Sequence, residues 1–124
     1  KPDFSQSDHA AAKRETLRQV EVTVETLDHQ LPSMLASLDV RRPYLKMDTQ
    51  GFDLEVLRGA EDSLTDLVGL QFEGSVVPLY QDMPPFTEML AHLTTRGFAL
   101  SDMFPVTKDP ALKLIEFDCV MVKA

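Results

Sequence analysis

An apolar run that ends in an acid, a glycine three residues later and an amphipathic run after it make Tyr44–Ala60 the stretch that most constrains the fold. Tyr44-Leu45-Lys46-Met47-Asp48 reads as a short buried strand, opened by Pro43, which cannot donate to a ladder and sits best at a strand's first position. Strand alternation puts Tyr44, Lys46 and Asp48 on one face and Leu45 and Met47 on the other. Gly51 allows a turn without a Cβ clash, and Leu54, Leu57 and Ala60 then recur near helical spacing. Asp48 therefore stands at a strand's carboxyl end, where ligands collect in open α/β sheets.

The flanking segments repeat the same alternation of strand and helix. Val20, Val22 and Val24 alternate with Glu21, Thr23 and Glu25, the period of a half-buried strand. Asp28 is expected to cap a helix over residues 29–38, with Leu31, Met34, Leu35 and Leu38 as its apolar stripe and His29 facing solvent. Leu67–Phe72 is nearly continuous in apolar residues, as in a strand buried on both faces, and ends at Glu73-Gly74. Two strands joined through a helix in this way should be parallel neighbours. Their terminal acids, Asp48 and Glu73, would then face one cleft.

Residues 74–84 form a loop in which Tyr80 either meets a ligand or wedges the loop onto the core. Pro84-Pro85 opens a helix carrying Phe86, Met89, Leu90 and Leu93, which Gly97 ends and on which His92 points to solvent. Phe98–Met103 is expected to be a strand, Phe104–Leu112 a loop and Leu114–Val122 a last strand antiparallel to its predecessor. Residues 1–19 form a polar leader, either mobile or carrying a short helix from Asp8 to Arg18, and residues 20–124 form one domain.

Composition excludes several classes. A formal net charge of -8, with scattered Lys and Arg, leaves no basic stripe for nucleic acid. No apolar run is long enough to span a bilayer. The single Cys119 cannot form an internal disulfide; it fits a reducing, cytoplasmic setting and the interior of a strand.

"LKMDTQGFDLEVLRGA" resembles the central signature of the FkbM-type methyltransferases, with Asp53 where that family more often has Glu. The preceding Val-x-Val-x-Thr-Leu-Asp and the closing strands extend the likeness over nearly all of residues 20–124. The resemblance implies a Rossmann-like α/β sheet, mostly parallel with an antiparallel C-terminal strand, and helices on its faces in three layers. It implies transfer of a methyl group from S-adenosylmethionine (SAM) to a hydroxyl of a small molecule, sugar or lipid. Asp48, Glu73 and Lys46 are the catalytic candidates, with Asp48 as the base and Lys46 favouring carboxylate ionisation. Asp48 and Thr49 are candidates for cofactor contact, and Gly51 and Tyr80 for the acceptor. All five glycines lie at position 51 or later and none forms the G-x-G turn that cradles such a cofactor. The expectation is therefore the carboxyl-terminal portion of such an enzyme, inactive by itself and prone to homo-oligomerise through its uncovered sheet edge.

Other readings remain open at this point. Asp48 and Glu73 can equally cap backbone amides at strand-to-helix turns. A divalent metal shared by the two acids lacks a third ligand. A phosphoacceptor receiver domain would need an acidic pair on its first strand and a late-strand Lys, and Phe98–Phe104 holds no Lys. A non-catalytic binding or assembly module is the main alternative, and a Gly-x-Gly turn encoded upstream of Lys1 would discriminate against it.

Overall fold

The protein is seen here as a computed structural model that describes residues 18–80 and 82–124. The expected leader and its Asp8 helix lie outside these residues, except for the exposed Arg18 and Gln19. Along the chain come α1 (Leu27–Leu38), β1 (Tyr44–Lys46), α2 (Asp53–Arg58), a 3-10 turn (Ser63–Thr65), β2 (Gly69–Ser75), α3 (Phe86–Thr94), β3 (Phe98–Lys108) and β4 (Leu114–Lys123). The four strands form one sheet in the order β1-β2-β4-β3.

β1 and β2 are parallel, with Tyr44 level with Gly69, Leu45 with Leu70 and Lys46 with Gln71, as the strand-helix-strand pattern requires. β4 enters between β2 and β3 and is antiparallel to both. β1, β2 and β3 thus share one direction, but only one of the three pairings is parallel. The expected mostly parallel sheet holds for strand directions and fails for strand contacts, because β4 separates two strands that would otherwise pair in parallel.

One sheet face carries the core. Leu70, Phe72, Phe117, Cys119 and Met121 are buried there with Leu54 and Leu57 of α2 and Met89 and Leu93 of α3. The ring of Phe117 meets Phe86 edge-on at 5.1 Å between centroids, a favoured aromatic geometry. Burial pushes the Cys119 thiol up to about 11, which makes it a small core side chain rather than a reactive one. The opposite face, with Tyr44, Lys46, Gln71, Glu73, Val120 and Val122, is exposed or half-buried. Among the described residues the domain therefore has two layers instead of the expected three. β2 is likewise not buried on both faces, since Gln71 and Glu73 stay half-buried.

Four further expectations are corrected. Val20, Val22 and Val24 are 64%, 72% and 84% exposed and belong to no strand, because alternation becomes a strand only where a partner supplies hydrogen bonds. α1 begins at Leu27 with Thr26 as its cap, the Thr26 hydroxyl accepting from the His29 amide at 3.3 Å. Its stripe is weakly used: Leu31 packs on the core, while Met34 and Leu38 are exposed. Asp28 does cap, but it caps the 3-10 turn, accepting from the amides of Asp62 at 3.2 Å and Ser63 at 2.8 Å. β3 continues through Pro105 to Lys108 with register shifts, which an edge strand tolerates because its outer amides need no partner.

His92 is the fourth. It is largely buried, with Nε2 shielded from solvent, without a hydrogen-bond partner and 3.5 Å from Glu61 Oε1. Burial and the nearby Arg96 charge push its imidazole pKa down, although Glu61 opposes them.

Candidate functional site at the strand ends

The parallel register sets the site. Lys46 ends β1 opposite Gln71, and Asp48 and Glu73 each lie two residues further on. The Met47 amide donates to the Gln71 carbonyl at 2.9 Å, carrying the ladder one bond past the strand. Asp48 then stands exposed beyond the ladder, whereas Glu73 remains inside β2, level with Asp118 of β4. Burial pushes the Glu73 carboxyl above its usual range, and the charges of Glu116, Asp48, Asp118 and Asp53 push it further the same way. Asp48 and Glu73 thus lie in one acidic field. Lys46 is exposed, and among the described residues it forms no ion pair with either acid.

The turn after Asp48 is built from two left-handed residues, Gln50 at φ 57° and Gly51 at φ 96°. Such angles suit glycine and strain most other residues. Asp53 fastens the turn from the start of α2. Its carboxylate, only 7% exposed, accepts the Thr49 amide at 3.1 Å and the Thr49 hydroxyl as well. A carboxylate at a helix N-terminus is also favoured by the backbone dipoles. Both Thr49 donors therefore go to Asp53, and through them Thr49 shapes the turn.

Tyr80 closes the turn from the other side. Its ring lies on Gly51, where an added Cβ would come within 3.0 Å of Tyr80 Cβ and 3.1 Å of Cδ2. Its hydroxyl donates to Gln50 Oε1, and Gln50 Nε2 donates to Asp48 Oδ1 at 3.1 Å. Of the two roles open to Tyr80, the wedge is the one visible in this geometry. Gly51 has a conformational reason to be glycine and also borders open space.

That space is a groove of about 510 Å³ lined by Gly51, Phe52, Leu54, Glu55, Arg58, Asp82, Pro84 and Glu88. It falls within the size range of small-molecule sites. Phe52 offers an exposed ring, and Arg58 lies between Glu55, its ion-pair partner, and Glu88 at 3.8 Å. A smaller hollow of about 20 Å³, bordered by Gly51, Asp53, Glu73 and Phe86, has room for one water. Among the described residues no group of three or more His, Cys, Asp or Glu is placed to hold a metal ion. No described helix is long and apolar enough to cross a membrane.

Gln50 and Asp53 are the site-building residues that sequence reasoning did not assign. Asp53 had a local signal, an acid two positions after a turn glycine and opening a helix. Gln50 had none, since one of its two partners lies thirty residues away.

Comparison with known proteins adds one finding. A family model described as "Methyltransferase FkbM domain" matches residues 2–100. No curated protein and no solved structure matches the chain.

Proposed function

From the premise that this chain belongs to the FkbM methyltransferase domain family, we propose that it takes part in SAM-dependent methylation of a hydroxyl group, with Asp48 as the proton acceptor. The observation that carries this reading is the placement of Asp48: exposed, just past the end of β1, three residues before the Gly51 turn that borders a groove of ligand size, and in the field of Glu73. A carboxylate placed there can accept the proton that a hydroxyl loses as its oxygen gains a methyl group.

The donor set suits the cationic end of SAM. Asp48, Glu73 and Asp53 concentrate negative charge at the strand ends, and a sulfonium is drawn to such a field. When bound, SAM supplies an electrophilic methyl group. Of the residues present, Asp48 and Glu73 would face that end of it, and Thr49 would contribute through the shape of its turn. The groove beside Gly51 would hold the acceptor, with the exposed Phe52 ring as an apolar platform and Glu55, Asp82 and Glu88 as hydrogen-bond acceptors. Residues 20–124 would act as one unit, and their ligands would be small molecules rather than nucleic acid.

The test is transfer of a labelled methyl group from SAM by the full-length gene product to a panel of monosaccharide, polyketide-like and lipid hydroxyls. Asp48→Asn should lower turnover about 100-fold or more, within the range for a general base, and more than Glu73→Gln does. Asn keeps the size and most hydrogen bonds of Asp but takes no proton, so unchanged turnover would make Asp48 a structural residue. Absence of transfer to every acceptor would favour the alternative, a non-catalytic binding module.

A further inference from the structure

We propose that Gln50 is a positioning residue that couples the loop after β2 to the aim of Asp48, an inference that rests on the reading of Asp48 as the proton acceptor. The Gln50 side chain spans a gap between two elements. Nε2 donates to Asp48 Oδ1 at 3.1 Å, and Oε1 accepts from the Tyr80 hydroxyl. The chemistry fixes which end of the amide faces which partner. An ionised carboxylate only accepts, so the NH₂ group must face Asp48 and the carbonyl must take the phenol.

The backbone supports the same conclusion. Gln50 sits at φ 57°, an uncommon angle for a residue with a side chain, and is followed by Gly51 at φ 96°. Strain of this kind persists where the surroundings over-determine it. Here both ends of the amide and the Tyr80 ring on Gly51 hold the turn. The two side chains nearest in chemistry do not do the same work. Asn would be one methylene short of bridging both partners. Glu would offer no donor to Asp48 and would set a like charge beside it.

The consequence for the site is specific. One oxygen of Asp48 is tied to a neutral donor, and among the described residues the other accepts no hydrogen bond. The carboxylate keeps a fixed direction and one oxygen for the acceptor's proton. Through Gln50, Tyr80 helps set where Asp48 points.

Gln50→Asn, Tyr80→Phe and the double variant of the full-length gene product test this. Asn adopts left-handed backbone more readily than most residues, and Phe keeps the ring on Gly51, so both variants should fold. The first readout is the ¹³C NMR signal of the Asp48 carboxyl carbon in the ligand-free protein. It should move in Tyr80→Phe as well as in Gln50→Asn, because the Tyr80 hydroxyl holds the amide that holds Asp48, while the ring on Gly51 stays in place. The second is turnover with labelled SAM and the fastest acceptor of the panel as probe. Each single variant should lose about tenfold in kcat, as expected of a misaimed group, with KM changed by less than about twofold, since substrate binding is not altered. The double variant should be no worse than the worse single.

An Asp48 signal that is unmoved in Tyr80→Phe overturns the proposal. So does normal kcat in both single variants while Asp48→Asn is inactive, a result that leaves the methyl-transfer reading standing. If the wild type transfers no methyl group, that reading fails and the Asp48 signal alone decides whether the bridge exists.

Discussion

The ring of Tyr80 lies so close to Gly51 that a single methyl group on that glycine would stand 3.0 Å from Tyr80 Cβ. The backbone of Gly51, at φ 96°, would resist the same substitution independently. Gly51→Ala should therefore destabilise the protein by about 1–3 kcal/mol, the range for a strained backbone position. Thermal or urea unfolding checks this, and a loss below about 0.5 kcal/mol, the size of an ordinary surface substitution, would mean that the Tyr80 loop moves away at little cost.

Glu73 gives a pH-dependent prediction. Burial and the neighbouring acids raise its folded-state pKa above the ordinary 4.5, so the folded protein holds this proton more tightly than the unfolded chain. Stability should fall as pH rises from 4.5 through the raised value. Glu73→Gln removes the charge, so at pH 7 it should stabilise the fold, by less than about 1 kcal/mol because the group is only half-buried. Below pH 4.5 the advantage should vanish. Paired unfolding curves at pH 7 and pH 4 decide it, and a destabilised Glu73→Gln at pH 7 would show a favourable partner for the carboxylate.

Asp28 behaves in the opposite sense. Burial alone would raise its pKa, but hydrogen bonds from Ser63 and from the backbone of Ser63 and Asp62 outweigh it and hold the carboxyl below 3.8. Its contribution is present above that value and is lost as pH falls through the folded pKa. Asp28→Ala should cost about 1 kcal/mol at neutral pH, as loss of a helix cap does. Equal losses at pH 7 and pH 2 would show that packing, not the charged cap, is what the substitution removes.

Self-association follows from the sheet. Among the described residues β1 and β3 are its edges, and the face they leave uncovered carries the partly exposed side chains of Tyr44, Phe104 and Val122. Open edges and apolar faces recruit further chains. Sedimentation of the 124-residue chain should show dimers or larger species that dissociate on dilution. A monomer across the whole concentration range would contradict this.

What was legible in the sequence was local. Leu54, Leu57 and Ala60 are spaced for one helix face, and all three are buried; the strand-helix-strand order set β1 and β2 parallel. What was not legible depended on partners distant in the chain. Val20–Val24 has a strand's alternation, yet among the described residues nothing pairs with it. Pro105 marked a loop only until β3 proved to be an edge, where a missing amide is harmless. His92 lies off the apolar stripe of α3, and its burial comes from a neighbourhood that includes Glu61, about thirty residues away. At the site itself, the motif pointed to Asp48 and Glu73, and each lies two residues past the last pair of the parallel ladder, Lys46 with Gln71. The bridge through Gln50 depends on where the loop carrying Tyr80 returns, which no pattern within residues 44–60 records.

β4 lies between β2 and β3, yet it follows both in the chain. During synthesis, β2 and β3 leave the ribosome with no strand between them, and neither antiparallel ladder can begin until residues 114–123 have emerged. A nascent chain stalled in the turn before Leu114 would expose the Phe72 face of β2 and one whole side of β3. The sheet is completed from its middle, by the strand that is made last.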